Sequence, residues 1–545
     1  MDVDLDFEIP ETFNMASVLV DHHVEEGRGD RAAIYFGNEA ITYRELQGRV
    51  NRAGNALRTH GIDVEQRVVL FMADRPEFIE AYVGAMKIGA VPVPINVMST
   101  SDELAYYLED SRAAAIVIDA DLLNRLPAAA PRYLKRIFVV GRAGPADKED
   151  AHLPRADLDS GQARGSVDSV LVQYENEVAE ALPELGAEPT HRDDPSYWLY
   201  SSGTTGQPKG TVHLHRDMVV CTGTWLKHVT QPTASDINYS ASKLPFSYGL
   251  VNGLYQPLLA GTATVLVAEP STPQLVASTI KRYQPTIFFS VPTLYNLMLR
   301  ESEAGNLDLD VSSLRACISA GEALPPAIYD RWQSRFGLEI LDGIGSTEFG
   351  YIYIQNRPGR SRAGTSGELL PGYAAKIVDD DEEPVPDGEI GELWVQSESF
   401  AAYYWKKRDR SRETFRGPWL KTGDRFTRDA DGYYRYAGRG DDMFKTSGQW
   451  VSPIEVEGAL LRHPTVAEAA VIASQDSDGL IKPKAFVVLK RDIAATPELV
   501  TMLQNHAKAE LAPDYYKYPR WIEFVAELPK TATGKIQRFK LRAGS

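Results

Sequence analysis

The segment Tyr200 to Gly210, YSSGTTGQPKG, packs three glycines, four serine or threonine hydroxyls and one lysine into eleven positions. Glycine backbones reach conformations closed to other residues, so successive N–H groups can turn toward a single anion. Ser201, Ser202, Thr204 and Thr205 add hydroxyl donors, and Lys209 adds a formal positive charge. Such a set suits phosphate oxygens, and Gly203 and Gly206 are the positions that let the backbone close around them. A flexible linker has the same composition, but a linker seldom sits between apolar Trp198-Leu199 and Val212. The spacing is not G-x-x-x-x-G-K-[ST], because Pro208 stands five positions after Gly203.

Three further segments could do chemistry. In Asp342 to Glu348, DGIGSTE, the hydroxyl of Thr347 suits a phosphate oxygen and the carboxylate of Glu348 suits Mg²⁺. The Gly343-x-Gly345 start resembles a dinucleotide fingerprint, yet Glu348 occupies the place of its last glycine. In Lys421-Thr422-Gly423-Asp424 the carboxylate after the turn can accept from two vicinal ribose hydroxyls. In PKTATGKIQR, Pro529 to Arg538, Lys535 lies in a Gly-Thr turn. Each of these three alone is also compatible with a plain turn or a solvated tail.

The elements that must position these segments show in the apolar pattern. Val68 to Met72 is strand-like and is followed by Phe78, Ile79, Tyr82, Val83 and Met86 at helical spacing. Similar runs recur at Ala115 to Ile118, Ile137 to Val140, Ala263 to Val267 and Thr286 to Val291. Strands alternating with helices predict an α/β body of packed, largely parallel sheets covered by helices. The pattern changes beyond Gly438 to Asp442, GRGDD. There Ser452-Pro453-Ile454-Glu455 predicts a helix start with a capping box. Strands follow near Val466 to Ala473, Ala485 to Leu489 and Trp521 to Val525, with a helix near Thr496 to Leu511. The expected organisation is a body over residues 1–440 and a small mobile α+β cap over 441–545. The acidic run Asp379 to Glu383 reads as a solvated turn.

Composition narrows the classes. The 545 residues are 43% hydrophobic and 24% charged, ordinary for folded domains. A net charge of -17 argues against nucleic-acid or anionic-membrane partners. No apolar run approaches the roughly 18 residues that span a bilayer. The acidic N-terminus lacks the order of a secretory signal, so a cytoplasmic, soluble chain is expected. Cys221 and Cys317 stand far apart, so no disulfide is expected and a metal–thiolate site lacks ligands. A homodimer is the commonest assembly for such chains.

Taken in order, YSSGTTGQPKG, DGIGSTE, KTGD, GRGDDMFKTSG and PKTATGKIQR closely resemble the adenylate-forming superfamily of acyl-CoA synthetases, peptide-synthetase adenylation domains and luciferases. The resemblance runs from about Phe13 onward. YWLYSSG, SAGEALP, DGIGSTE and LPKTATGKIQRFKLR are most similar to benzoate-CoA ligases. It implies ATP, Mg²⁺ and coenzyme A as the small-molecule partners, with the Thr204 loop on the β- and γ-phosphates. Thr347 is then expected on the α-phosphate and Glu348 on the metal. Ala320, Gly321, Glu322, Asp342, Gly343, Ile344, Gly345 and Ser346 would border the nucleotide, with Asp424 and Arg439 at the ribose. Lys535 would be the catalytic lysine of adenylation and Asp441 the hinge. Lys445, Ser447, Gly448 and Gln449 would line the path of the pantetheine thiol.

The resemblance also locates the acid between LPFSYGL and FGYIY. Phe246, Ser247, Tyr248, Gly345, Phe349, Gly350 and Tyr351 are the expected pocket, an aromatic slot for an aryl carboxylate. Ser247 replaces the Asp usual in amino-acid-activating relatives, and Ser247 and Tyr351 depart from the Ala and His expected of benzoate ligases. Both are read here as polar handles for an amino or hydroxy substituent. Two other readings stay open: an aryl-AMP ligase loading a carrier protein's phosphopantetheine, and a non-catalytic nucleotide-binding homologue.

Overall fold

A computed structural model describes residues 8–129, 131–141, 171–201, 207–440, 442–446, 449–477, 479–491, 493–530 and 536–543. Ser202, Gly203, Thr204, Thr205, Gly206, Asp441, Ser447, Gly448 and Lys535 lie outside the described residues.

One sheet is parallel throughout, in the order Val91–Pro94, Arg67–Phe71, Ala115–Asp119, Arg136–Val140 and Leu171–Gln173. The helix Pro76–Lys87 follows its Arg67–Phe71 strand, with Pro at the first turn where no N–H is missed. Phe78, Ile79, Tyr82, Val83 and Met86 are all wholly buried, as their spacing predicts. This helix packs on Tyr43–Thr59 at two glycines. A Cβ on Gly84 would sit 2.9 Å from the Gly54 nitrogen and 2.9 Å from the Val50 carbonyl, so the two backbones touch only because neither glycine has a side chain. The enclosed Lys87 ammonium is satisfied by Asp21 and Asn51, each at 2.7 Å.

The second sheet changes character along its width. Ala32–Phe36, Ala263–Val265, Ile237–Ser240, Ile287–Ser290, Ala316–Ser319 and Ile340–Gly345 are parallel neighbours. Beyond Ile340–Gly345 the strands Ile352–Gln355, Gly367–Leu369, Tyr433–Arg439, Trp419–Arg428, Gly391–Gln396 and Ala374–Val378 continue it with antiparallel pairing. A third, small sheet pairs Pro195–Ser201, Lys209–Leu214 and Tyr403–Tyr404 antiparallel. The polar segment after Ser201 is therefore the connection of a hairpin, with Ser201 opposite Lys209.

The C-terminal segment has its own apolar cluster, in which Val456, Leu460, Val471, Val487 and Leu503 are buried. Val466–Gln475 pairs antiparallel with Ile481–Leu489, which runs parallel to Trp521–Phe524. Ser452 caps the helix Pro453–Leu461 by accepting from the Glu455 nitrogen at 3.2 Å. The expected reciprocal half of the capping box is absent among the described residues, where the Glu455 carboxylate pairs with Lys517 at 2.9 Å. The turn at Asp379 to Glu383 is exposed as expected, but its carboxylates are paired. Asp380 takes Arg425 at 2.6 Å and Lys445 at 4.0 Å, and Glu382 takes Lys421 at 3.2 Å.

Asp236, just before the Ile237–Ser240 strand, ties three parallel strands together at one end. It accepts from the Thr233 nitrogen, the Thr286 hydroxyl and both Arg315 Nε and Nη2, at 2.7 to 2.8 Å. Burial alone would raise its pKa, but these donors outweigh burial and hold it at about 2. A carboxylate held below its unfolded value stabilises the fold above that value, and the contribution is lost as pH falls through the folded pKa. Asp236→Asn is therefore expected to lower the melting temperature at pH 7. The deficit against the parent should shrink as melts are recorded from pH 4 down to 2; a deficit independent of pH would refute the assignment.

Candidate active site

The carboxyl ends of the parallel strands Ala316–Ser319 and Ile340–Gly345 carry two of the expected segments, SAGEALP and DGIGSTE, at the usual place for ligands in open α/β sheets. Ile340–Gly345 ends in a short 3₁₀ turn, Thr347–Phe349, which carries Thr347 and Glu348. Two bonds hold the turn's backbone: Ala401 N–H donates to the Glu348 carbonyl at 2.7 Å, and His213 Nε2 to the Thr347 carbonyl at 2.8 Å. The other His213 nitrogen faces Asp217 Oδ2 at 3.0 Å, and the ring lies flat on Tyr197 at 4.7 Å. Burial raises the Asp217 pKa, and His213 opposes it.

Tyr404 joins Glu348 to the hairpin of Pro195–Ser201 and Lys209–Leu214. Its strand pairs with Lys209–Leu214, and its hydroxyl donates to Glu348 Oε1 at 2.7 Å. The Lys209 ammonium sits 4.2 Å from the centroid of the same ring, a cation–π contact. Burial lowers the Lys209 pKa and Glu348 raises it, while Arg410 and Arg439 lower it further. Three cations thus converge here in a protein of net charge -17. Burial, then the Glu348 charge, raises the Tyr404 pKa and keeps it a donor. The Ser201 and Ser346 hydroxyls are buried with no partner among the described residues.

Around the expected nucleotide positions the backbone is crowded. A Cβ on Gly345 would lie 2.3 Å from the Tyr351 carbonyl, and one on Gly343 would lie 2.6 Å from Gln355 Oε1. Asp342 is buried and accepts from Ser319 at 2.8 Å. Burial pushes its carboxyl up to about 8, against the Ser319 bond and the Leu324 N–H and with repulsion from Glu322 added. Glu322 accepts from the Thr293 nitrogen at 3.2 Å and hydroxyl at 2.7 Å. Ala320 is buried, Gly321 is exposed at φ +89°, and Ile344 is half-buried. Asp424 and Arg439 face each other across antiparallel strands, joined at 3.0 Å. The Tyr436 hydroxyl reaches the same Asp424 oxygen at 3.4 Å. The Asp424 charge raises the Arg439 pKa, and burial opposes it.

The expected acid slot is partly assembled. Tyr248 and Tyr351 present near-parallel rings, 6.3 Å apart and tilted by 16°, and Trp225 closes edge-on against Tyr351 at 5.4 Å. Phe246 and Ser247 are half-buried beside them, and Gly350 takes φ +73° where a Cβ would meet the Tyr197 hydroxyl at 3.2 Å. Phe349 is not part of the slot. Its ring is wholly buried among Tyr353, Tyr373 and Phe400, because the 3₁₀ turn sends it to the core side. The two expected polar handles have their protons engaged. Ser247 Oγ already donates to the Gly350 carbonyl at 2.5 Å, and the Tyr351 hydroxyl to Asn252 Oδ1 at 2.5 Å.

In the expected thiol path, Lys445 and Gln449 lie on the two strands of a hairpin, Phe444–Thr446 and Gln449–Val451. The Lys445 ammonium is 4.5 Å from the Trp450 ring, whose other neighbour is the Arg425 guanidinium at 5.1 Å. Sequence reasoning missed Tyr404, Arg410, His213, Asp217 and Thr293. For Tyr404 a signal existed: the aromatic-basic run YYWKKR follows a small-residue stretch, and one ring in it serves both a cation and a carboxylate.

Tyr404→Phe keeps the ring under Lys209 and deletes the hydroxyl that donates to Glu348. A hydrogen bond to a charged group is worth about 1.5 kcal/mol or more. The variant should therefore lose about tenfold in kcat/KM for ATP in acid-dependent pyrophosphate release. Parent-like kinetics would show that Glu348 needs no positioning by Tyr404.

Comparison with known proteins places this geometry. The family model described as AMP-binding enzyme matches residues 20–405, and that described as AMP-binding enzyme C-terminal domain matches 455–535. A benzoate–CoA ligase of Thauera aromatica is 45% identical, over 98% of this chain and 97% of its own length. A 4-hydroxybenzoate–CoA/benzoate–CoA ligase of Rhodopseudomonas palustris is 40% identical, over 97% and 94%. The crystal structure of the anthranilate CoA ligase AuaEII in complex with anthranoyl-AMP superposes with a TM-score of 0.88 at 38% identity, covering 100% of this chain and 99% of that one. Among the described residues no helix is long and apolar enough to cross a membrane. The chain belongs to the AMP-binding enzyme family of adenylate-forming ligases.

Proposed function

We propose that this chain is an ATP-dependent aryl acid:CoA ligase acting on a benzoate-type acid. The carrying observation is the pair of Tyr248 and Tyr351 rings next to the Thr347–Glu348 turn, which suits a flat aryl ring with its carboxylate toward the phosphates. Relatives named for benzoate, hydroxybenzoates and anthranilate support the same class.

A carboxylate is a poor electrophile, so its oxygen first attacks the α-phosphorus of ATP and expels pyrophosphate, giving an aryl-adenylate. The thiol of CoA then attacks the acyl carbon and AMP leaves, giving the thioester. In this reading Lys209 and the Thr204 loop hold the β- and γ-phosphates, and Asp424 and Arg439 hold the ribose. Thr347 contacts the α-phosphate. Lys535 meets the charge that grows on the transferring oxygens, so it stabilises the transition state above the ground state. Among the described residues no group of three or more His, Cys, Asp or Glu gathers into a metal site. One carboxylate, Glu348, nonetheless fits Mg²⁺, which takes one or two protein carboxylates and completes its shell with phosphate oxygens and water. When bound, the ion neutralises the departing pyrophosphate. Residues 1–440 and 441–545 form two domains in this reading. A backbone rotation at Asp441 withdraws Lys535 after the first step and brings Lys445, Ser447, Gly448 and Gln449 to the thiol path.

The test is pyrophosphate release on benzoate, aminobenzoates, hydroxybenzoates, cinnamate and octanoate, with and without CoA. Turnover of benzoates into CoA thioesters is expected. A preference for octanoate would overturn the slot, and adenylation without CoA consumption would make the chain a carrier-loading enzyme. Lys535→Ala should abolish adenylate formation yet retain thioester formation from supplied aryl-AMP; equal loss of both would refute the alternation.

A further inference from the structure

We infer that the acid pocket is built for a hydrogen-bond donor on the aryl ring, and selects an aminobenzoate over its methyl and fluoro analogues. The inference rests on the aryl-acid reading and adds the polarity of the substituent.

Three hydroxyls belong to the slot, and each is bonded to an oxygen that can only accept. Ser247 Oγ is 2.5 Å from the Gly350 carbonyl, and the Tyr351 hydroxyl is 2.5 Å from Asn252 Oδ1. The Tyr248 hydroxyl is 3.2 Å from the Ile318 carbonyl and 3.4 Å from that of Ser290. A carbonyl oxygen has no proton to give, so in every pair the hydroxyl donates. What these groups still offer is lone pairs. Tyr351 and Asn252 are enclosed, and the half-buried Tyr248 keeps its hydroxyl between two backbone carbonyls, whereas Ser247 is half-buried with a single carbonyl on its hydroxyl. Ser247 is thus the group a substituent can reach, and it reaches it as an acceptor.

The ring substituents differ in what they bring to such an oxygen. An aryl amine brings two N–H donors, and its lone pair is delocalised into the ring, so it asks little in return. A hydroxyl brings one donor. Methyl and fluorine bring none, and would desolvate the Ser247 oxygen without replacing its bond to water.

The experiment measures kcat/KM for thioester formation with benzoate and with the 2-, 3- and 4-isomers of amino-, methyl- and fluorobenzoate. At the ring position that faces Ser247, the amine should exceed methyl and fluorine by about threefold to tenfold, the span of one neutral hydrogen bond. Ser247→Ala should bring that ratio to about one, and Ser247→Thr, which keeps the hydroxyl, should retain it. Ratios are taken within one enzyme, so a general loss of activity cancels. Equal use of amine and methyl analogues by the parent, or a preference that survives Ser247→Ala, would overturn the inference and leave the aryl-acid reading standing. If no benzoate is turned over while other acids are, the proposed function itself fails and the inference with it.

Discussion

Everything at the site depends on the strand Ile340–Gly345 having a parallel neighbour on one side and an antiparallel one on the other. Parallel strands deliver their carboxyl ends to one edge, and here those ends supply Ser319, Ala320 and Asp342. The antiparallel neighbour brings the chain straight back, so Ser346 to Tyr351 is a tight reversal with no slack. Gly343 and Gly345 make the reversal feasible, since a side chain at either would collide with the returning strand. The reversal also sorts the aromatics that follow Glu348. Phe349 goes to the core and Tyr351 to the slot, because a turn this short leaves each residue one direction to point.

The antiparallel half of the sheet then has a task of its own. It places Asp424 and Arg439 on facing strands, and a third strand of another sheet places Tyr404 between Lys209 and Glu348. A protein with net charge -17 repels polyphosphate at long range. Fields of exposed charges fade within about 10 Å at ordinary ionic strength, whereas half-buried charges at short range are screened far less. The half-buried Lys209 and Arg439 therefore keep a local positive field against the global one, with Glu348 and Asp424 offsetting their charges.

Much of this was legible in the sequence, for identifiable reasons. Parallel strands buried on both faces read as apolar runs, so the Arg67–Phe71, Ala115–Asp119 and Arg136–Val140 strands were visible. Capped helices also leave local signatures, and the Ser452 cap was one of them. The rest depends on contacts between distant segments. Nothing local says that Tyr404 reaches Glu348, 56 positions away, or that His213 holds the Thr347 carbonyl across 134 positions. The antiparallel strands were missed because long ones such as Trp419–Arg428 are half-buried, and others are short and interrupted by turns and ion pairs such as Asp380 with Arg425. Phe349 was misplaced because composition gives a residue's neighbours in sequence and not the side of a turn it occupies.

The hydroxyls of the slot carry the same lesson one level further down. A serine or tyrosine read from sequence is both donor and acceptor, and its chemistry toward a ligand is undetermined. Once the fold points each hydroxyl at a backbone carbonyl or an amide oxygen, the proton is spent on holding the protein together, and only lone pairs remain for the ligand. The bond between Ser247 and Gly350 thus has two consequences. It ties the start of the Ser247–Leu250 helix to the reversal after Glu348, and it turns an ambivalent group into an acceptor. Polarity toward substrate is in this sense a by-product of how the slot is braced, and any substitution that frees that proton changes both at once.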